Sequence, residues 1–224
     1  MMSRNQLTSS LIDSSQELSG RHKKTIVRSC SINDIETAAG IIASTFKSNH
    51  GVCWLLKHGG KKPQELKKLA EYAFVKALRS QGAYIADSKD GIALCYQNSK
   101  SRFSFTELYY QLRFVLTSIR LSHLPKILKR ESYRKKVRSQ FKDYIYFWFL
   151  GVIPKEQNVG FELKNKVIEK ARKLNLPICL ETSSIRHKLI YERLGFETYH
   201  FWENKKEDIR FWFMYMKVGY LQTK

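Results

Sequence analysis

The residues best suited to chemistry lie where an apolar run gives way to a polar loop and then to a helical pattern. Residues 144–150 are apolar and mostly aromatic, and Gly160 precedes a helical stripe of apolar residues. A loop of this kind leaves free backbone N–H groups at a helix start, and glycine lets a ligand approach the backbone closely. The stretch from Leu150 to Glu162 is therefore a candidate anion site. The same strand, loop and helix also occur in α/β proteins that bind no anion there.

Two motifs, separated by the expected distance, resemble those of the GNAT superfamily of N-acetyltransferases. The loop resembles that family's acetyl-CoA-binding motif V-x-P-x-x-Q-x-x-G-x-G/A, and the positions in register are Val152, Pro154, Gln157 and Gly160. The letters LETSS at 180–184 resemble the family's L-E-x-S strand end, and YERLGF at 191–196 resembles its Y-x-x-x-G-F helix end. The resemblance covers residues 25 to about 218 and is strongest over 143–199.

The resemblance implies that the chain binds acetyl-CoA as co-substrate and needs no metal. In such proteins the strand equivalent to Leu150–Ile153 splays from its neighbour and hydrogen-bonds the pantetheine arm, and the loop after it holds the pyrophosphate. The cofactor-binding residues it implies are Leu150, Gly151, Val152, Ile153, Gln157, Asn158, Val159, Gly160, Phe161, Glu162 and His187.

The resemblance also implies direct attack of an amine on the thioester, with no covalent enzyme intermediate. Tyr191 would lie near the thioester sulfur and act as general acid for the departing thiolate, or it packs only as a core aromatic. Glu181 would face the acceptor and orient or deprotonate the amine, or it is a salt-bridged strand terminus. The backbone N–H of Val152 is the expected donor to the thioester carbonyl.

Three departures from the family pattern favour an alternative function. The last Gly or Ala of the loop motif is Glu162 here, and its charge is like that of a pyrophosphate. Asn158 and Val159 replace residues that are commonly glycine or basic, and His187 stands where an asparagine is frequent. The alternative is a catalytically impaired GNAT-like module that binds CoA or an anionic partner.

Apolar periodicity predicts the elements that position these residues. Their order is strand, helix, helix, strand, strand, inserted helices, strand, helix, strand, helix, strand, strand, which indicates an α+β fold, or α/β in some schemes. The continuous apolar run 144–150 predicts a central strand. The order is also that of the GNAT fold. The resemblance therefore implies a mixed, mostly antiparallel sheet of six to seven strands flanked by helices, with an inserted helical segment at about 103–141.

Composition and charge limit the class of protein. The chain has 224 residues, of which 43% are hydrophobic and 13% aromatic, so it can bury a core and is neither disordered nor collagen-like. Residues 1–24 hold few large apolar groups and predict a flexible tail, followed by a single domain over 25–218. The formal net charge is +20, which attracts anions or is simply that of a lysine-rich soluble protein. No RRM, KH or zinc signature supports nucleic-acid binding.

The acceptor amine is set, in proteins of this kind, by the segments before the central strand. Residues 100–142 carry twelve Lys or Arg and two Glu. Their charge disfavours a polycationic acceptor and favours one with a carboxylate or phosphate. The alternative is that these helices only cover the core and turn a solvated basic face outward. A small-molecule acceptor is the expectation.

Compartment and assembly are predicted from what the sequence lacks. Four cysteines form no CxxC pair, which favours a reducing compartment. The longest uncharged apolar stretch, 144–153, is about half of the roughly 20 residues that a membrane span needs. The first twenty residues show no apolar segment typical of a secretory signal. We expect a cytoplasmic monomer or homodimer with no membrane contact.

Overall fold

The computed structural model describes residues 25–99, 103–154 and 158–219. The predicted tail, residues 1–24, lies outside them, and so does Gln157. Seven strands of the described chain form one sheet in the order β1-β2-β3-β4-β5-β7-β6. The strands are β1 Val27–Ser29, β2 Ala83–Ala86, β3 Gly91–Gln97, β4 Ile145–Val152, β5 Ile178–Thr182, β6 Glu197–Asn204 and β7 Ile209–Met216.

The sheet confirms the predicted fold class. Every neighbouring pair is antiparallel except β4 and β5, which run parallel. β4 lies fourth of seven strands, so the apolar run of the sequence is central as predicted. The steps from β2 to β3 and from β6 to β7 are hairpins, whereas the parallel step from β4 to β5 is made through the helix Val159–Leu174.

The helices form two layers. They are α1 Ile35–Thr45, α2 His50–Cys53, α3 Pro63–Arg79, α4 Phe105–Ser118, α5 Leu124–Arg138, α6 Val159–Leu174 and α7 Ile185–Arg193. α1 and α3 build one hydrophobic core with the sheet, joined by residues of α4 and α5, and α6 builds the other core on the opposite face. α4 and α5 are the predicted helical insert. None of the helices in the described residues is long and apolar enough to cross a membrane.

The largest unpredicted element is the short helix α2 in the connection between α1 and α3. This connection has no apolar period, and tertiary contacts fix it instead. Gly51 lies so close to the end of the sheet that a Cβ there would be 3.0 Å from Cε1 of Phe211 and 3.3 Å from Oγ of Ser183. The first strand is also shorter than the predicted 25–30, because only three residues pair with β2.

A bulge in β4 decides which side chains face which helix layer. Phe147 pairs with Cys95 and Phe149 with Leu94, so Trp148 is an extra residue without a partner on β3. Phe147 therefore packs toward α6, whereas Phe149 packs toward α1 and α3. Past the bulge, Leu150 and Val152 face the α6 layer.

Substituting two glycines tests how tightly α6 is held. A Cβ on Gly91 would lie 2.3 Å from Cγ1 of Val159 and 2.8 Å from Cδ1 of Leu163, so Gly91→Ala must push α6 from the sheet. We expect a loss of about 1–3 kcal/mol in the free energy of unfolding. The control is Gly40→Ala, where a Cβ meets nothing within 4 Å inside α1, with an expected gain of about 0.5–1 kcal/mol. Urea denaturation of both variants measures the difference, and equal stabilities would contradict the tight contact.

Candidate active site

An opening in the middle of the sheet is the main feature of the site. β4 and β5 pair only at Ile145 with Ile178 and at Tyr146 with Cys179. β4 then continues for six residues without a partner on β5, while it stays paired with β3 to its end. The two parallel strands therefore diverge toward their carboxyl ends.

Backbone groups of β4 point into this opening. The N–H of Ile153 points toward the β3 side and donates to the carbonyl of Asp90, the residue before β3, at 2.7 Å. Backbone groups alternate in direction along an antiparallel ladder, so those of Leu150 and Val152 point the other way, into the opening. Buried N–H and C=O groups need partners, and a bound ligand can supply them.

The start of α6 lies beside the end of β4. A Cβ on Gly160 would be 3.3 Å from Cγ2 of Val152, so a larger residue would crowd this junction. Asn158 adopts a left-handed conformation, with φ of 70°, which asparagine tolerates better than most residues. Its replacement of a glycine therefore suits the backbone. The first intrahelical bond runs from the N–H of Glu162 to Asn158, so the N–H groups of Val159, Gly160 and Phe161 precede it.

The other predicted cofactor residues differ in exposure. Val159 is 1% exposed and packs in the core, so only its backbone can meet a ligand. Phe161 is exposed, and the Nζ of Lys164 lies 4.1 Å from its ring centroid. Glu162 is half-buried. Gly151 faces α1 rather than the opening, since a Cβ there would be 2.8 Å from Oγ1 of Thr45.

These features fit a ligand that carries phosphate groups. The start of a helix gathers unpaired N–H donors and the positive end of the helix dipole. Asn158 and Gly160 allow the chain to turn closely there, and Lys164 adds a cation in the first two turns. The carboxylate of Glu162 opposes them. Within the described residues, no three His, Cys, Asp or Glu side chains lie together in a way that could hold a metal ion.

α7 places Tyr191 and His187 on the side of the sheet that carries α6. Tyr191 packs edge-on against Phe196, with ring centroids 5.5 Å apart. Burial raises the pKa of its hydroxyl to about 12, so Tyr191 is protonated at neutral pH. His187 lies in the first turn, with more than a third of its surface exposed, and its backbone N–H donates to Oγ of Ser184. Partial burial of its ring, helped by the charge of Arg186, lowers the pKa of His187, which favours the neutral ring.

Glu181 lies on the opposite face, where two arginines of α5 hold it. Its side chain is only 2% exposed. One carboxylate oxygen accepts a hydrogen bond from Nε of Arg134, and the other accepts one from Nη1 of Arg138 at 2.8 Å. Both carboxylate oxygens are thus occupied by guanidinium donors, and neither is left free to meet an amine.

Arg134 joins the two diverging strands. Besides Glu181 on β5, it donates to the hydroxyl of Tyr146 on β4 at 2.6 Å and to Glu131 on its own helix. Burial is the largest single effect and lowers the pKa of Arg134, but Glu181, Tyr146 and Glu131 together raise the pKa well above the usual value. This guanidinium therefore stays charged and bridges the base of the opening.

Arg130 lies one helical turn before Arg134 and is the least satisfied of the three arginines. It is 7% exposed, and its guanidinium carbon lies 4.4 Å from the ring centroid of Trp54 and 5.3 Å from that of Phe211. Its Nε and Nη1 are buried and find no hydrogen-bond partner among the described residues. Burial, and then the charge of Arg134, lower the pKa of Arg130 to about 10, so it remains charged at neutral pH.

The buried arginines were not among the residues predicted for the site. A solvated outer face was one of the two roles that the sequence left open for the basic residues of the insert. Arg130, Arg134 and Arg138 instead face inward, at positions four apart that share one side of α5. That spacing, together with a glutamate at the end of a buried strand, is the signal that indicates such a cluster.

Removing the charge of Glu181 should expose its structural importance. Glu181→Gln keeps the shape but leaves two buried arginines with one counter-charge fewer, so we expect a loss of about 3 kcal/mol in the free energy of unfolding. The matched control is Glu131→Gln, which touches the same Arg134 from a side chain that is 39% exposed. We expect it to lose under about 1 kcal/mol. Urea denaturation followed by circular dichroism measures both, and similar losses would contradict the role assigned to burial.

Solved structures share this fold at low sequence identity. An arylalkylamine N-acetyltransferase of Aedes aegypti has a TM-score of 0.61 and 13% identity, covering 88% of this chain and 100% of that one. A polyamine N-acetyltransferase of Drosophila melanogaster has a TM-score of 0.62 and 12% identity, and the match covers 87% of this chain and 100% of that one. The C-terminal condensation domain of Ebony, in complex with beta-alanyl-dopamine, has a TM-score of 0.62 and 11% identity. The match covers 87% of this chain and 99% of that one. No protein-family model and no curated protein matches the sequence.

The structural likeness extends over nearly the whole length of these enzymes and over most of this chain. At this low sequence identity the likeness shows the fold and does not identify the acceptor or the acyl donor. One of the three proteins is described as a condensation domain. The motifs, the order of elements and the diverging central strands agree with one another. The chain has the fold of the GNAT N-acetyltransferases.

Proposed function

We propose that this protein is an N-acetyltransferase that transfers an acetyl group from acetyl-CoA to the amine of a small molecule. The observation that carries the proposal is the opening between β4 and β5, flanked on one side by the start of α6. Tyr191 on α7 stands on the same side of the sheet. The four cysteines are all free thiols, which supports a reducing compartment such as the cytoplasm.

The backbone, more than the side chains, would hold the co-substrate. Leu150 and Val152 offer groups for an extended amide-containing arm, because their backbones point into the opening. The N–H groups of Val159, Gly160 and Phe161 suit the pyrophosphate. Acetyl-CoA supplies the activated acetyl group when bound. Gln157 and His187 remain predicted contacts, the first outside the described residues and the second exposed on α7.

Three contributions to catalysis follow from this arrangement. The rigid sheet and helices orient the reacting groups. A backbone N–H in the opening, for which Val152 is the candidate, stabilises the negative charge that develops on the carbonyl oxygen. The hydroxyl of Tyr191 keeps its proton over the working pH range and can donate to the departing sulfur.

Glu181 has a different role in this proposal from that of a catalytic base. Its carboxylate is occupied by Arg134 and Arg138, so we assign it to positioning α5 against the sheet. The amine would then lose its proton through water or another group that reaches the opening. Glu181 remains next to the acceptor side, since it follows the last paired residue of β5 by two positions.

A second candidate function is a module that binds CoA without transferring acetyl. Glu162 is the observation that favours it, because a carboxylate in the first turn of α6 opposes a pyrophosphate. Two measurements separate the candidates. Acetyl-CoA should raise the melting temperature in both cases, whereas release of free thiol with a panel of amines occurs only in the first.

Glu162→Ala tests the charge at the loop. If the carboxylate faces the pyrophosphate, the variant should bind acetyl-CoA about fivefold more tightly, since one like-charge contact is worth on the order of 1 kcal/mol. Glu169→Ala removes the same charge two turns further along α6 and should leave the affinity unchanged. Calorimetric titration measures both, and an unchanged or weaker affinity for Glu162→Ala would show that this side chain points away.

Tyr191→Phe tests the acid. The change keeps the ring packing and removes only the hydroxyl, so kcat should fall roughly 100-fold while acetyl-CoA affinity changes little. Because burial raises the pKa of Tyr191 to about 12, its proton is present throughout the accessible range. The ratio of the two rates should therefore stay constant from about pH 6 to about pH 10.

Tyr84→Phe is the control for losing a tyrosine hydroxyl, because Tyr84 lies on β2 and donates to the carbonyl of Gln81. Its kcat should equal that of the wild type. Equal rates for Tyr191→Phe and the wild type at every pH would reduce Tyr191 to a packing residue.

A further inference from the structure

The charges of the α5 arginines and of the glutamates that face them do not balance. Arg130, Arg134 and Arg138 carry three positive charges, and the glutamates that face them, Glu131 and Glu181, carry two negative charges. Both glutamates are bound to Arg134 or Arg138. Arg130 has no ion pair among the described residues, so the uncompensated charge is on this side chain.

Arg130 also has donors that nothing satisfies. One N–H on Nε and two on Nη1 are buried without an acceptor in the described part of the chain. Buried charged groups are normally paired and hydrogen-bonded, and exceptions call for a missing partner. The aromatic rings of Trp54 and Phe211 hold the guanidinium but accept no conventional hydrogen bond. An anion would supply both the acceptors and the counter-charge that Arg130 lacks.

The position of Arg130 points to the acceptor side of the opening. Arg134, one turn further along α5, touches both β4 and β5 where they begin to separate. Thr182 pairs with Trp212, so Phe211 stands level with Ser183, just past the end of β5. Arg130 meets Phe211 there, on the face opposite α6 and α7. Trp54, the other ring in contact with Arg130, is half-buried.

We propose that Arg130 binds an anionic group of the acceptor, so that the preferred substrate is an amine that also carries a carboxylate or a phosphate. The inference rests on the proposed transferase function. A buried guanidinium in contact with two rings loses little freedom when it pairs with an anion. A simple amine or a polyamine would leave the charge of Arg130 unpaired and add a second positive charge beside it.

Pairs of amines that differ only in the anionic group test the proposal. Suitable pairs are tyramine with tyrosine and histamine with histidine for the carboxylate, and ethanolamine with phosphoethanolamine for the phosphate. The wild type should acetylate the anionic member of at least one series with a KM about tenfold or more below that of its partner, because charge-assisted bonds are strong. Comparison of the series identifies which anion is taken.

Variants of α5 assign the preference to one residue. Arg130→Met should raise the KM for the anionic amine about tenfold or more and change the KM for the simple amine less than about twofold. Arg130→Lys keeps the charge and should retain part of the preference. The matched control is Lys129→Met, which removes one positive charge from an exposed neighbouring position and should leave the preference intact.

Binding measured apart from turnover separates this proposal from the proposed function. Thermal shift with each amine, with and without coenzyme A, reports binding even if no acetyl is transferred. Equal binding and equal KM for both members of every pair would overturn the proposal, and so would a preference that survives in Arg130→Met. If the anionic amine binds through Arg130 while acetyl-CoA gives no shift and no thiol is released, the anion site stands and the transferase function fails.

Discussion

Two parallel strands that pair for two residues and then separate leave backbone groups unpaired in the middle of a sheet, and the rest of the structure is arranged around that gap. Buried backbone N–H and C=O groups cost free energy unless they form hydrogen bonds. On one face, the start of α6 adds further N–H donors next to the end of β4. On the other face, the side chains of α5 reach between the strands. The separation thus leaves backbone groups that a ligand can pair with, and the opening has two sides, one at the start of α6 and one under α5. We call these sides the two approaches to the opening.

The electrostatics of the two approaches differ in kind. The start of α6 offers backbone donors and a helix dipole, which suit a phosphate on a surface that water can reach. The face under α5 offers guanidinium groups in a nearly dry environment, where an unpaired charge costs more and a paired one is held more firmly. The large positive charge of the chain is therefore not only a property of its surface, since part of it is buried where the strands diverge.

The sequence predicts most of the fold because its periods are regular. Leu66, Leu69, Ala73 and Phe74 share one face of α3 and are all buried, and the uninterrupted apolar run became the central strand. The bulge at Trp148 could not be predicted, since it depends on the register with β3. Nor could α2, which tertiary contacts fix rather than local preference.

The site is predictable only in part, for a similar reason. The loop motif locates the start of α6, because backbone geometry there follows from a few residue types. The partners of Glu181 lie more than forty residues away on the insert, and the spacing of these arginines along α5 does not identify the strand that they meet. A strand or helix period predicts that the apolar face is the buried one. The arginines of α5 are polar and yet lie on the buried face, so the period does not identify them.

The contact between Glu181 and the arginines of α5 has a consequence for how such a protein can change over time. The carboxylate of Glu181 on β5 pairs with two arginines of the insert, Arg134 and Arg138. Exchange of α5 for another segment would leave Glu181 buried and unpaired. Loss of Glu181 would leave Arg138 without its carboxylate and Arg134 with Glu131 alone. Position 181 and the insert can therefore vary only in concert. A descendant with a new acceptor preference would reach it more easily through Arg130, whose replacement leaves no counter-charge behind.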